Sequence, residues 1–91
     1  MAKLYKTSGE IVEVEPENGS DFSLEELQSF VDGYIEIAYL DNERVIVINE
    51  EGKINNLPYN ENATAEYNRA MKCRADYIAG DALICKHNQI K

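Results

Sequence analysis

Cys85 stands two residues before His87, the only histidine, and with Cys73 it makes the one set of soft donors in this 91-residue chain. A structural zinc site takes four ligands, with paired cysteines roughly two to four residues apart. That spacing is absent here. Cys73 on an expected helix and Cys85 in an apolar strand read as small core hydrophobes, and two cysteines are too few for a disulfide framework. His87 could act as a general base, but it lacks a nucleophilic or orienting partner in sequence. No catalytic residue, metal site or cofactor is assigned from the sequence, and an enzyme is not expected.

Glu36, Glu50, Glu51 and Asp81 could supply paired carboxylates for acid-base work or for a hard cation such as magnesium. In a chain with 17 acids such pairs are plentiful, and Glu50-Glu51-Gly52 also has the composition of a solvated turn. The glycines form no phosphate-cradling Gly-x-Gly-x-x-Gly and no glycine run followed by Lys-Ser/Thr. The first place to look for a small ligand is Leu57-Pro58-Tyr59-Asn60, just ahead of an expected helix whose free N–H groups can hold an anion. Tyr59, Asn60 and Thr64 would line that site; the structural reading of the same residues is a helix cap and an exposed first turn. The six tyrosines suggest surfaces with apolar bodies and polar tips, a residue type enriched at interfaces, and core-edge packing explains them as well.

Charge narrows the partners. The net charge is -8, and residues 1–66 hold 15 acids and 4 bases whereas residues 67–91 hold 2 acids and 5 bases. Such a surface repels phosphate, so direct nucleic-acid binding is disfavoured. Its simplest role is solubility. No apolar run is long enough to span a membrane and the first residues lack a signal-peptide stretch, so a cytoplasmic location is expected.

The elements that must position these side chains follow from pattern. Lys3–Lys6 and Glu10–Glu15 read as a hairpin around Thr7-Ser8-Gly9, with Val12 and Val14 on the covered side, Ile11 with Glu13 and Glu15 on the other, and Pro16 as the end. Ser23-Leu24-Glu25-Glu26 has the form of a capping box, and Phe22 with Leu27 that of a hydrophobic staple. Leu24, Leu27, Phe30 and Val31 give that helix its buried stripe, and Gly33 is its expected left-handed stop. Tyr34–Leu40 alternates at period two, and Arg44–Ile48 is a continuous β-branched run; together they read as a hairpin at the centre of the sheet. Lys53-Ile54 could begin a short returning strand. A second helix is expected from Asn60, with Ala63, Tyr67, Ala70 and Met71 on one face, Asn60 or Asn62 as cap, and Arg69, Lys72 and Arg74 toward its C-terminal end. Tyr77–Cys85 closes the fold as a last strand with a bend at Gly80-Asp81.

The order ββ-α-ββ-α-β argues for a single α+β domain over residues 1–91, a mixed but mainly antiparallel sheet of about five strands with two helices, both expected on one face.

At Gly33-Tyr34-Ile35-Glu36, Asn49-Glu50-Glu51-Gly52-Lys53, Leu57-Pro58-Tyr59-Asn60 with Ala63-Thr64, and Gly80-Asp81, the sequence resembles the family catalogued as domain of unknown function 3846. The resemblance runs from about Ser23 to Ile84. It implies a phage, mobile-element or gut-bacterial setting and no particular reaction. Three functions remain open. The leading one is a small non-enzymatic binding protein acting on another protein. The second is an acidic nucleic-acid mimic that blocks a DNA-binding enzyme, with Glu13, Glu15, Glu25 and Glu36 as its interaction surface. The third is sequestration of a small anionic ligand such as a nucleotide at Tyr59, Asn60 and Thr64.

Overall fold

The computed structural model describes residues 2–72 and 76–90. Five strands form one sheet: β1 (Ala2–Tyr5), β2 (Ile11–Val14), β3 (Ile35–Tyr39), β4 (Arg44–Asn49) and β5 (Ala82–Lys86). Their spatial order is β2-β1-β5-β4-β3 and every strand pairing is antiparallel. Helix α1 (Leu24–Val31) follows the first hairpin and α2 (Glu61–Met71) the second. The α+β class and the order ββ-α-ββ-α-β hold as read from the sequence. A single turn of 3-10 helix spans His87–Gln89.

The two helices do not share a face. Val45, Val47, Leu83 and Cys85 pack with Leu27 and Val31 of α1, whereas Ile46, Ala82 and Ile84 pack with Ala63, Tyr67 and Ala70 of α2. Side chains alternate across a strand, so these two sets lie on opposite sides of the sheet. The cause is in β4 and β5, which are apolar at consecutive positions; a strand apolar on both faces needs cover on both. The result is three layers, helix, sheet and helix.

The capping box at α1 forms as its sequence predicts. Ser23 Oγ accepts from the Glu26 N–H at 3.1 Å, and Glu26 Oε1 accepts from the Ser23 N–H at 2.8 Å. Phe22 is buried and meets Phe30 edge-on at 5.7 Å, so Phe22 fills that end of the core and Leu24 stays exposed rather than joining the stripe. The left-handed residue that ends α1 is Asp32 (φ 60°), one position before the expected Gly33. Asn60 caps α2. The expected strand at Lys53-Ile54 is instead part of a closed turn, with the Leu57 N–H donating to Gly52 O and the Asn55 N–H to Glu51 O. Arg69 lies in the last turn of α2 and Lys72 is its left-handed C-cap; Cys73 and Arg74 lie outside the described residues.

β4 is interior, as its run of β-branched residues predicts, but its partner β3 is an edge strand and not part of the centre. The central place goes to β5, which pairs with β1 on one side and β4 on the other.

Candidate functional site

The residues that carry the family resemblance gather at one end of the sheet, and most of them hold loops in place. Asn49, buried at the end of β4, donates from Nδ2 to Val31 O at 3.0 Å and Asp32 O at 3.2 Å and accepts at Oδ1 from the Glu51 N–H at 2.7 Å. It thereby ties off the C-terminal carbonyls of α1 and starts the next turn. A Cβ on Gly33 would stand 2.7 Å from Asn49 Nδ2, and one on Gly52 would stand 2.7 Å from Ala79 O. Neither position admits a side chain without displacing its neighbour.

Asn60 and Thr64 are committed in the same way. Asn60 is 0% exposed; Nδ2 donates to Tyr5 O at 2.8 Å and Gly80 O at 2.9 Å, and Oδ1 accepts from the Ala63 N–H at 3.0 Å. Thr64 Oγ1 accepts from the Ile78 N–H at 2.8 Å. Tyr59 points elsewhere: it is exposed, and its ring lies 6.1 Å from that of Tyr77. Lys53 sits over the Tyr77 ring at 4.5 Å and pairs with Asp76. The three residues named for an anion are therefore not gathered around a common space.

The other candidates are also apart. Cys85 is buried in the α1-side core, where desolvation pushes its thiol up to about 11, and His87 is exposed on the terminal turn. Among the described residues no group of three or more His, Cys, Asp or Glu could hold a metal ion. Asp81 is engaged by the Thr7 N–H, which donates to its Oδ1 at 2.9 Å, and Glu50 and Glu51 lie in the turn that follows β4. Glu13 and Glu15 belong to the β2 side of the sheet, Glu25 to the first turn of α1 and Glu36 to β3, at the opposite edge from β2. These four acids do not form one continuous stripe.

What the sequence reading missed is the β3 edge. The Leu40 N–H donates to Arg44 O and the Glu50 N–H to Tyr34 O, which fixes the hydrogen-bonded pairs of the β3/β4 ladder at even-numbered β3 residues. Ile35, Ile37 and Tyr39 therefore aim their backbone N–H and C=O groups away from β4, to the outside. Their side chains stand on the α1 side, with Ile37 42% and Tyr39 71% exposed. Five consecutive pairs run without a bulge, and the strand has one charge, Glu36, with no proline or lysine. Natural sheets usually guard an edge with such devices. The other edge is guarded: β2 has four residues, carries Glu13, and is followed by Glu15 and Pro16. The missed signal lay in the charge at the middle of Tyr34–Leu40, which separates it from the uninterrupted run of β4.

Beside β3, on the α2 side, lies a groove of about 280 Å³ with Ile46 and Ile48 among its lining residues, Tyr67 and Tyr77 as aromatic members, Glu36, Glu50 and Asp76 as acids and Lys53 as a cation. All ion pairs among the described residues involve Asp41, Glu66 or Asp76 as the acid, so Glu36 and Glu50 have no cation of their own.

Fold and site together define a small three-layer α+β domain with one open sheet edge and no assembled reaction centre among the described residues. The family model described as Domain of unknown function (DUF3846) matches residues 4–90, and the chain belongs to that family. No curated protein and no solved structure matches it. No helix among the described residues is long and apolar enough to cross a membrane.

Proposed function

We propose that this is a small non-enzymatic binding protein of a phage or other mobile element, which engages another protein by accepting a strand at β3. The observation that carries the reading is the bare edge: three outward sets of backbone donors and acceptors at Ile35, Ile37 and Tyr39, unpaired within the described residues and flanked by exposed apolar side chains. Main-chain hydrogen bonds to such an edge give affinity, and the side chains beside it give selectivity. The phage or mobile-element setting is the implication of the family resemblance, and the cytoplasm would be where such a partner is met.

Substituting Ile37→Pro tests this directly. Proline at 37 removes an N–H that faces away from β4, so the internal ladder is kept while the outer one is blocked. Proteins from a native host retained by the wild type are expected to be lost from Ile37→Pro, with circular dichroism confirming that both are folded. An identical retained set from the two proteins would refute strand addition at β3.

A further inference from the structure

We infer that the segment accepted at β3 is a basic one, an extended strand in which apolar residues alternate with lysine or arginine. The inference rests on the proposed use of the β3 edge and adds the chemistry of the occupant. A strand laid against β3 must place its alternate side chains on the two faces of the extended sheet. Those opposite Ile35, Ile37 and Tyr39 meet an apolar row on the α1 side. Those opposite Glu36 and Ala38 fall on the α2 side, where directly opposed side chains have Cβ atoms about 4.5 to 5.5 Å apart.

On that side the surroundings favour a cation with a long aliphatic stem. The groove beside β3 has apolar lining at Ile46 and Ile48, and Glu36 and Glu50 are lining acids with no ion-pair partner among the described residues. Lys53 does not neutralise them, because its ammonium is taken by Asp76 and the Tyr77 ring. A lysine or arginine stem can cover apolar surface while its head reaches a carboxylate. At longer range the net charge of -8 draws in a basic segment and repels both an acidic one and a second copy of this chain.

The test uses the full chain labelled with nitrogen-15 and three blocked peptides of equal length, alternating valine with lysine, with serine or with glutamate. At low salt the valine–lysine peptide is expected to shift the amides of Ile35, Ile37 and Tyr39 and to bind about tenfold or more tighter than the valine–serine peptide. The valine–glutamate peptide should not bind. The double variant Glu36→Lys, Glu50→Lys should reverse the order of the charged peptides, and Ile37→Pro should abolish binding of either. Equal binding of the lysine and serine peptides, lost in Ile37→Pro, would overturn the charge preference and leave strand addition standing. Binding of the lysine peptide that survives Ile37→Pro, or no binding by any peptide, would overturn both. A wild-type dimer at neutral pH that Ile37→Pro dissolves would make a second copy the occupant and overturn the basic partner.

Discussion

Asn60 shows how a polar side chain can be completely internal without cost to the fold. Its amide offers two donors and one acceptor to three backbone groups from three separate parts of the chain, at Tyr5, Gly80 and Ala63. Among the described residues no buried side-chain polar atom lacks a partner, which is the state a packed interior requires. Replacing Asn60 with aspartate keeps the acceptor for Ala63 and turns the other oxygen toward two carbonyls. Asn60→Asp should lower stability by about 3 kcal/mol at neutral pH, because a buried charge loses its solvent and its second oxygen faces two carbonyls with no donor. The new carboxyl would have a raised pKa in the fold, so part of the loss should return in urea melts run at low pH, where the protonated group can donate to one carbonyl. A loss that does not change with pH would contradict this account. Cys85 offers a simpler check. Burial raises its thiol to about 11, so in a Cys73→Ser background it should react with a disulfide reagent only when denaturant is added.

At the scale of elements, the local signals were legible and the long-range ones were not. The Ser23 to Glu26 capping box forms as its sequence predicts, and it is tied further back through Glu26 Oε2, which accepts from the Glu17 N–H at 2.9 Å. These backbone hydrogen bonds hold the Glu26 carboxyl below its ordinary value near 4.5. A depressed folded pKa contributes stability that is present above the unfolded value and is lost as pH falls through the folded one. Glu26→Gln should therefore reduce stability at pH 7 and flatten the acid side of the stability curve below about pH 4.5. An acid limb as steep as that of the wild type would argue against the box. The order of elements was equally readable, since each is set by a local period of two or 3.6. Which strand lies at the edge was not. The pairing of β1 with β5 joins residues from the two ends of the chain, and no local pattern reports it. The Tyr59 to Thr64 segment had the same limit: an asparagine that caps a helix and one that helps hold an anion look alike in sequence. The partners at Tyr5 and Gly80, which show where the Asn60 amide is spent, come from distant parts of the chain.

On the scale of the whole molecule, the unequal edges and the acidic charge have to be read together. One edge is short and acidic and is followed by a proline; the other is five residues long, bulge-free and largely apolar. An edge of the second kind invites pairing with a second copy, and in register such pairing can set Glu36 opposite Ala38 so that no like charges face each other. At neutral pH the mutual repulsion of two chains at -8 opposes that encounter. The repulsion is electrostatic and so depends on pH. As pH falls toward the isoelectric point near 4.5 the carboxylates neutralise and the net charge vanishes, while the backbone groups of Ile35, Ile37 and Tyr39 stay as they are. Sedimentation velocity at low salt should find a monomer at pH 7.5 and a self-associated species near pH 4.5. Ile37→Pro should remain monomeric at both, because its outer ladder is broken and its charge is unchanged. Association near pH 4.5 that is equally strong in Ile37→Pro would trace to general loss of charge, and β3 would then be no more adhesive than the rest of the surface.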